Sequence, residues 1–301
     1  MKVAVTGANS SVGKNLLARL CKEHDITIVA GVRSEKAISD LPESSSINPV
    51  IINYDDTSSL QKALDGSDVV IHLAGILIES KHSNYASANV AATAAIVDAA
   101  KKSGVKNLIF ISVVGASPKS RNAYFRSKGV AEELILESGL GARILRTPIL
   151  FGRQAAGSQA IVGMISSGQA KLLGGGNYQM RPLDIDDLSE ALTILCSTTM
   201  KDQITYELVG PESASYRDLI EMTAKIMGKE VSFGTIPIFL AKFGAAITSI
   251  LKGGGITPTV IDVITQDEVV KANADSEIGI TLTPLQQTLK HMSNLGDGYD
   301  R

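Results

Sequence analysis

The sequence predicts an α/β fold: a doubly wound parallel sheet with a smaller, mostly helical C-terminal lobe. Three observations predict it. Short apolar, β-branched runs alternate with helical patterns through the first half of the chain, as in successive βαβ units. The first run leads straight into a glycine-containing turn that opens a helix. After Phe151-Gly152 the alternation loosens, so the second half is built differently.

The elements follow in order. Val3-Ala4-Val5 is a short apolar strand, and Val12 to Cys21 is a helix with Val12, Leu16, Leu17 and Leu20 on one side. Ile26 to Val32 is a β-branched second strand, Pro49 to Asn53 a third, and Ser58 to Leu64 a helix. Asp68 to Leu73 is nearly all apolar, as a strand covered on both faces is. Asn89 to Ser103 is an Ala-rich helix closed by Gly104, and Asn107 to Ser112 is the fifth strand. Tyr124 to Ser138 is helical and stops at Gly139; Ala142 to Arg146 is the sixth strand. Residues 153–180 are rich in Gly, Ser and Gln and read as irregular, with Gly174-Gly175-Gly176 as a break. Asp186 to Cys196 is a helix, Ile204 to Val209 a strand, and Ser215 to Met227 a helix capped by Ser215. The tail from Pro237 to Leu289 is mostly helical. The expected division is a Rossmann-type domain over 1–153, rejoined by 182–210, and a substrate or partner lobe over 154–181 and 211–301, with a cleft between them.

Composition excludes several classes. The chain has 301 residues, with 29 Lys and Arg against 31 Asp and Glu, so no basic field exists to attract nucleic acid. Two cysteines, Cys21 and Cys196, make neither a disulfide framework nor a zinc site, which points to a reducing, cytoplasmic setting. His24, His82 and His291 have no ligand spacing, so no metal is expected. The N-terminus lacks a signal peptide's apolar segment. The longest apolar stretch, 236–251, is interrupted by Lys242 and Gly244 and is not a membrane span.

Thr6-Gly7-Ala8-Asn9-Ser10-Ser11-Val12-Gly13 lies between the first strand and the first helix. Gly7 permits a tight turn, Gly13 lets helix and strand pack closely, and the helix N-terminus offers amides and a positive dipole end to a diphosphate. Ser10 stands where a middle glycine is usual; its hydroxyl can still donate to a phosphate oxygen, but the backbone approach is more crowded. The second strand ends in Val32-Arg33-Ser34, without the acid that binds a ribose 2′-hydroxyl in NAD sites. Arg33, with Ser34 beside it and Lys14 nearby, suits the 2′-phosphate of NADP, although NAD stays open.

Thr6-Gly7-Ala8…Gly13, His72-Leu73-Ala74-Gly75, Asn89-Val90-Ala91-Ala92-Thr93, Tyr124-Phe125-Arg126-Ser127-Lys128, Arg146 to Gly152, Arg181 to Leu188 and Leu208 to Leu219 occur in this order. Together they resemble the short-chain dehydrogenase/reductase superfamily in its extended, atypical branch. The "GPE" segment at Gly210-Pro211-Glu212 and the tail from Ile256 to Pro284 make the chain similar to the nucleotide-binding accessory subunit of respiratory complex I and its bacterial relatives. The resemblance implies cofactor contacts from Gly7, Asn9, Ser10, Ser11, Val12 and Gly13, and from Leu73, Ala74 and Gly75. It also places Asn53 and Tyr54 at the adenine. Tyr124 and Lys128, four apart on one helix face, are implied as the acid/base tyrosine and its lysine, which together with the positive nicotinamide ring lowers the phenol's pKa and also holds the ribose. The third catalytic member is a serine on strand five. The extended-branch register puts Val113 there, a shift of one residue puts Ser112 there, and Ser117 or Ser120 are downstream substitutes.

The implied function is an NADP-binding oxidoreductase acting on a carbonyl or alcohol of a small molecule. Two alternatives are a nucleotide-sugar epimerase or dehydratase, and a non-catalytic NAD(P)-binding accessory or redox-sensing protein linked to complex I or quinone metabolism. The apolar stretch Phe233 to Ile247 reads either as a buried helix roofing the cleft or as an interfacial helix. In the second reading, 236–251 meets a membrane or partner subunit.

Overall fold

The computed structural model describes residues 1–293 except 199 and 201. Seven strands form the central sheet: β1 Lys2–Thr6, β2 Thr27–Val32, β3 Ile47–Ile51, β4 Val69–His72, β5 Asn107–Val113, β6 Gly141–Thr147 and β7 Gln203–Glu207. Their order is β7-β6-β5-β4-β1-β2-β3. β1 pairs in parallel with β2 on one side and β4 on the other, and β2 with β3 and β4 with β5 likewise. The chain therefore reverses its direction of growth between β1 and β4. This is the switch point at which open α/β sheets bind ligands beyond the carboxyl ends of their strands.

The apolar strand runs predicted this sheet because both faces are covered. Val3, Val5, Ile28, Val70 and Ile109 are fully buried. One face packs Leu108, Phe110 and Ile144 against Leu60, Ile96, Ala131 and Ile135 from the covering helices. Helix starts follow their capping residues: Ser10 caps Ser11–Leu20, Asp56 caps Thr57–Leu64, and Asn122 caps Ala123–Leu136 through the amides of Tyr124 and Phe125.

The chain divides into two compact units. The first comprises Met1–Leu77, His82–Arg146 and Ser189–Tyr206; the second comprises Ile78–Lys81, Thr147–Leu188 and the chain from Glu207 onward. In the second unit, the stretch expected to be irregular contains a helix, Ala156–Ser166, and a strand, Gln169–Leu173. That strand pairs in parallel with Ser232–Ile236, which takes in the start of the apolar stretch Phe233 to Ile247 read as a helix. Phe151, Ile161, Leu172, Leu219 and Leu289 build this unit's own core. Its motif acids act as internal ties. Glu268 accepts from the amides of Ile149 and Arg181 at 2.8 Å each, Glu212 from the Leu285 amide at 3.0 Å, and Asp187 from both the Thr283 amide and its hydroxyl. No helix among the described residues is long and apolar enough to cross a membrane.

Candidate nucleotide and catalytic site

The turn after β1 has the geometry its residues imply. Gly7 sits at φ +74°, where a side chain is strained, and a Cβ there would meet the Ala74 amide nitrogen at 3.0 Å. A Cβ on Gly13 would lie 2.4 Å from the Ala8 carbonyl oxygen, so no larger residue lets the helix enter this close to the strand. Asn9 and Ser10 are exposed, and Ser11 and Val12 half-buried. Ser10 also caps the helix: its Oγ accepts from the Gly13 amide at 3.0 Å, which leaves its O–H free to donate. The Ser11 and Val12 amides belong to the first turn and have no intrahelical acceptor. A turn pressed against Leu73 and Ala74, with first-turn amides at a positive dipole end, fits the diphosphate of a dinucleotide.

Arg33 is exposed at the carboxyl end of β2, and Ser34 caps the short helix Glu35–Ile38 through the Ala37 amide. Asn53 closes a local turn by accepting from the Asp55 amide at 3.0 Å. Tyr54 is half-buried; burial pushes its phenol up to about 12, against a bond to Thr6 and the charge of Arg33.

Beneath these residues runs a buried hydrogen-bonded chain. The Tyr54 phenol bonds to Thr6, Thr6 Oγ1 lies 2.7 Å from His72 Nδ1, and His72 Nε2 lies 3.2 Å from Thr93 Oγ1. Thr93 gives its own proton to the Asn89 carbonyl at 2.7 Å, so it accepts from His72 Nε2–H, and Nδ1 accepts from Thr6. The tautomer is thus assigned by the network. Burial first, and Lys128 second, hold His72 down to about 3, and it stacks on Phe110 at 5.7 Å. It is a neutral strut rather than a base.

Asn89 is the residue whose role the sequence reading left unassigned. It lies in a π-helical turn, Ala86–Ala91, a distortion frequent at functional sites. Its side chain accepts from the Ile76 amide at 2.8 Å and donates to the Ile76 carbonyl and to Ser127 Oγ. Ser127 in turn donates to the Tyr124 carbonyl at 2.7 Å. The available signal was the four-residue spacing of Asn89 and Thr93, which puts both on one helix face.

The helix Ala123–Leu136 carries Tyr124 and Lys128. Lys128 is 6% exposed; its Nζ donates to the Ile111 carbonyl at 2.7 Å and sits 4.0 Å from the Phe110 ring centroid. A Cβ on Gly75 would lie 3.8 Å from that nitrogen and 3.1 Å from Asn89 Oδ1, so the ends of β4 and β5, Asn89 and Lys128 converge. Burial drives Lys128 down to about 7, opposed by Glu132, which Arg146 holds in a two-point ion pair. Tyr124 is half-buried beside Tyr85, ring centroids 5.8 Å apart. Burial first, and Tyr85 second, push its phenol above the usual tyrosine value. In the ligand-free protein Lys128 is itself desolvated towards neutrality and donates a hydrogen bond to the Ile111 carbonyl, so the lowering of the phenol expected from this lysine together with a nicotinamide ring is not supplied by the lysine alone. On β5, Ser112 is 3% exposed and Val113 half-buried, on opposite faces by strand alternation. Ser117 and Ser120 accept from the amides of Lys119 and Asn122 in the preceding loop.

His291, which had no ligand spacing in the sequence, is brought to Asp184 and Asp186, with candidate ligand atoms within 4.8 Å of one another. Buried Asp184 is already engaged, by His291 Nδ1 at 3.0 Å and by the Asp186 amide at 3.0 Å.

Comparison with known proteins agrees with this geometry. The chain is 26% identical over 253 residues to NADH dehydrogenase [ubiquinone] 1 alpha subcomplex subunit 9, mitochondrial, of Arabidopsis thaliana, covering 80% of this chain and 62% of that protein. It is 24% identical over 303 residues to the protein of the same name in Dictyostelium discoideum, covering 97% and 83%. The chain thus spans less than two thirds of the plant relative's length. Among solved structures, the UDP-glucuronic acid 4-epimerase from Bacillus cereus in complex with UDP-glucuronic acid and NAD superposes with a TM-score of 0.77, at 20% identity and 98% coverage of both chains. This supports the fold expected from the extended-branch resemblance. Residues 7–170, from the first glycine of the turn through the tyrosine helix and beyond, match the family described as NAD(P)H-binding. With that match over more than half its length, and with the turn and sheet edge that such a domain requires, the chain belongs to the NAD(P)H-binding family.

Proposed function

We propose that this protein is an NADP-dependent oxidoreductase that interconverts a carbonyl and a secondary alcohol on a small molecule. The observation that carries the reading is Lys128: a buried lysine, one helical turn from Tyr124, held where β4 and β5 end. NADP supplies or accepts the hydride. Gly7, Gly13 and the first-turn amides hold its diphosphate, with Asn9, Ser10, Leu73, Ala74 and Gly75 around it. Arg33 and Ser34 meet the 2′-phosphate, and Asn53 and Tyr54 the adenine. Because burial favours the protonated phenol, Tyr124 enters the reductive direction as a general acid and gives its proton to the nascent alkoxide. Lys128, near neutrality, holds the ribose and restores that proton. The first unit carries the nucleotide, and the second is assigned to substrate or partner recognition. The two free thiols, Cys21 and Cys196, suit a cytoplasmic setting.

A second reading has its own support. Val113 puts no hydroxyl on its side of β5, and the matched relatives are named as subunits of NADH dehydrogenase. Both favour a non-catalytic NAD(P)-binding subunit that contacts a partner. The fold neighbour named as an epimerase leaves sugar-nucleotide epimerisation or dehydration as a same-layout variant. One experiment separates these. NADPH oxidation is measured over a panel of carbonyl compounds, with NADPH retention followed in parallel. Turnover that falls at least about a hundredfold in Tyr124→Phe supports the reductase. Tight retention with no turnover, unchanged by the substitution, supports the binding subunit.

A further inference from the structure

The helix Ile238–Lys252 in the second unit inverts the arrangement of an ordinary surface helix. Its large apolar residues face outward: Phe239 is 70% exposed, Leu240 53%, Phe243 68%, Ile247 47%, Ile250 81% and Leu251 78%. At about 100° per residue these six fall within one stripe about 120° wide. The residues turned inward are mostly small. Ala245 is buried, and Ala241, Ala246 and Ser249 are half-buried. An apolar helix roofing a core would do the reverse.

Three further features say what covers the stripe. First, its polar groups are satisfied within the helix. Thr248 Oγ1 donates to the Gly244 carbonyl at 2.9 Å, and Ser249 Oγ to the Ala246 carbonyl at 3.1 Å. An apolar medium demands that closure, whereas a protein partner is usually met with polar anchors. Second, the chain from Val231 to Ile261 contains no Asp or Glu but has Lys242 and Lys252. Lys81 packs beside Gly253 at the helix's end. Lys242 is partly neutralised by an ion pair with Asp262, so the cationic excess is small but of one sign. Third, the helix has 15 residues, about 22 Å in length, short of the roughly 30 Å hydrocarbon core. It is built to lie in an interface rather than cross it.

We infer that this helix is a membrane-docking element that beds its Phe239–Leu251 stripe into a lipid surface carrying anionic headgroups. The single-sign charge of the 231–261 segment is what the anionic headgroups attract. None of the six stripe residues belongs to the nucleotide site, so the inference stands apart from the reaction proposed above.

Vesicle flotation of the full chain tests it, with phosphatidylcholine vesicles either alone or mixed with phosphatidylglycerol. Expected is flotation with the mixed vesicles about tenfold stronger than with phosphatidylcholine alone, weakened by added salt. A triple variant, Phe239→Ser with Phe243→Ser and Ile250→Ser, should lose flotation while keeping wild-type NADPH affinity and unfolding midpoint, since these side chains are exposed. Equal flotation of the triple variant overturns the inference, as does no flotation of the wild type with either vesicle. Sedimentation supplies the remaining arm. A wild-type dimer that becomes monomeric in the triple variant, with no flotation, assigns the stripe to a second copy and also overturns it.

Discussion

Lys128 gives the sharpest way to test the site without knowing its substrate. Its ammonium is driven from 10.5 in a free side chain to about 7 by burial. In the unfolded chain the lysine is fully protonated at pH 7; in the folded protein it is about half so. A group whose folded pKa is depressed contributes its stability fully above the unfolded value, and that stability is lost as pH falls towards the folded one. Holding Lys128 therefore costs the ligand-free protein about 4 kcal/mol at pH 7, at roughly 1.4 kcal/mol for each tenfold change. Between pH 7 and 8.5 the wild type should gain about 1.5–2 kcal/mol of unfolding free energy from this group. Lys128→Met keeps the length and apolar stem and removes the charge. It leaves the Ile111 carbonyl without this donor, a loss of about 1 kcal/mol, so the net gain at pH 7 should be about 2–4 kcal/mol.

The assay is urea unfolding of ligand-free wild type and Lys128→Met at the two pH values, with NADPH affinity measured on both. Expected are a more stable variant at pH 7, a flattened pH slope and weaker NADPH binding. That pattern would mean stability given up to hold a lysine at the proposed ribose position. A variant less stable than wild type, or one with an unchanged pH slope, refutes the reasoning.

Other consequences follow from the same geometry. Arg33→Ala should weaken NADPH by about ten- to a hundredfold, the worth of a charge-assisted contact, and leave NADH nearly unchanged in titration calorimetry; an equal loss for both would detach Arg33 from the 2′-phosphate. Gly13→Ala brings a Cβ to 2.4 Å from the Ala8 carbonyl and should cost at least about 1–3 kcal/mol by thermal unfolding, with NADPH binding lost. His72, held at about 3, favours the fold fully above its ordinary value of 6.5 and progressively less as pH falls; about 2 kcal/mol should be gone by pH 5. His72→Gln should remove that share of the acid sensitivity in urea unfolding, and an identical pH profile would count against a neutral buried strut.

How much of this the sequence announced depends on how far apart the causes lie in the chain. The sheet was legible because a strand covered on both faces is apolar throughout, and such runs as Val69–His72 and Leu108–Phe110 need no distant information to be read. The turn after β1 was legible too, since Gly7 and Gly13 answer to neighbours a few residues away. The helix Ala156–Ser166 was not. Its Gly, Ser and Gln residues argue for a loop, and only the burial of Ile161 and Ile165 in the second unit's core makes it a helix. The strand Ser232–Ile236 was hidden in an apolar run because its partner, Gln169–Leu173, is remote in sequence. The same division runs through the site. That Tyr124 and Lys128 share a helix face follows from spacing alone. Their proton affinities depend instead on Phe110, Ile111, Tyr85 and Glu132, which the sequence reading had not gathered around them. Spacing suggested a lysine that lowers its tyrosine. Burial acts on both groups and favours the neutral form of each in the ligand-free chain, whereas a positive nicotinamide ring would act on the phenol in the opposite sense.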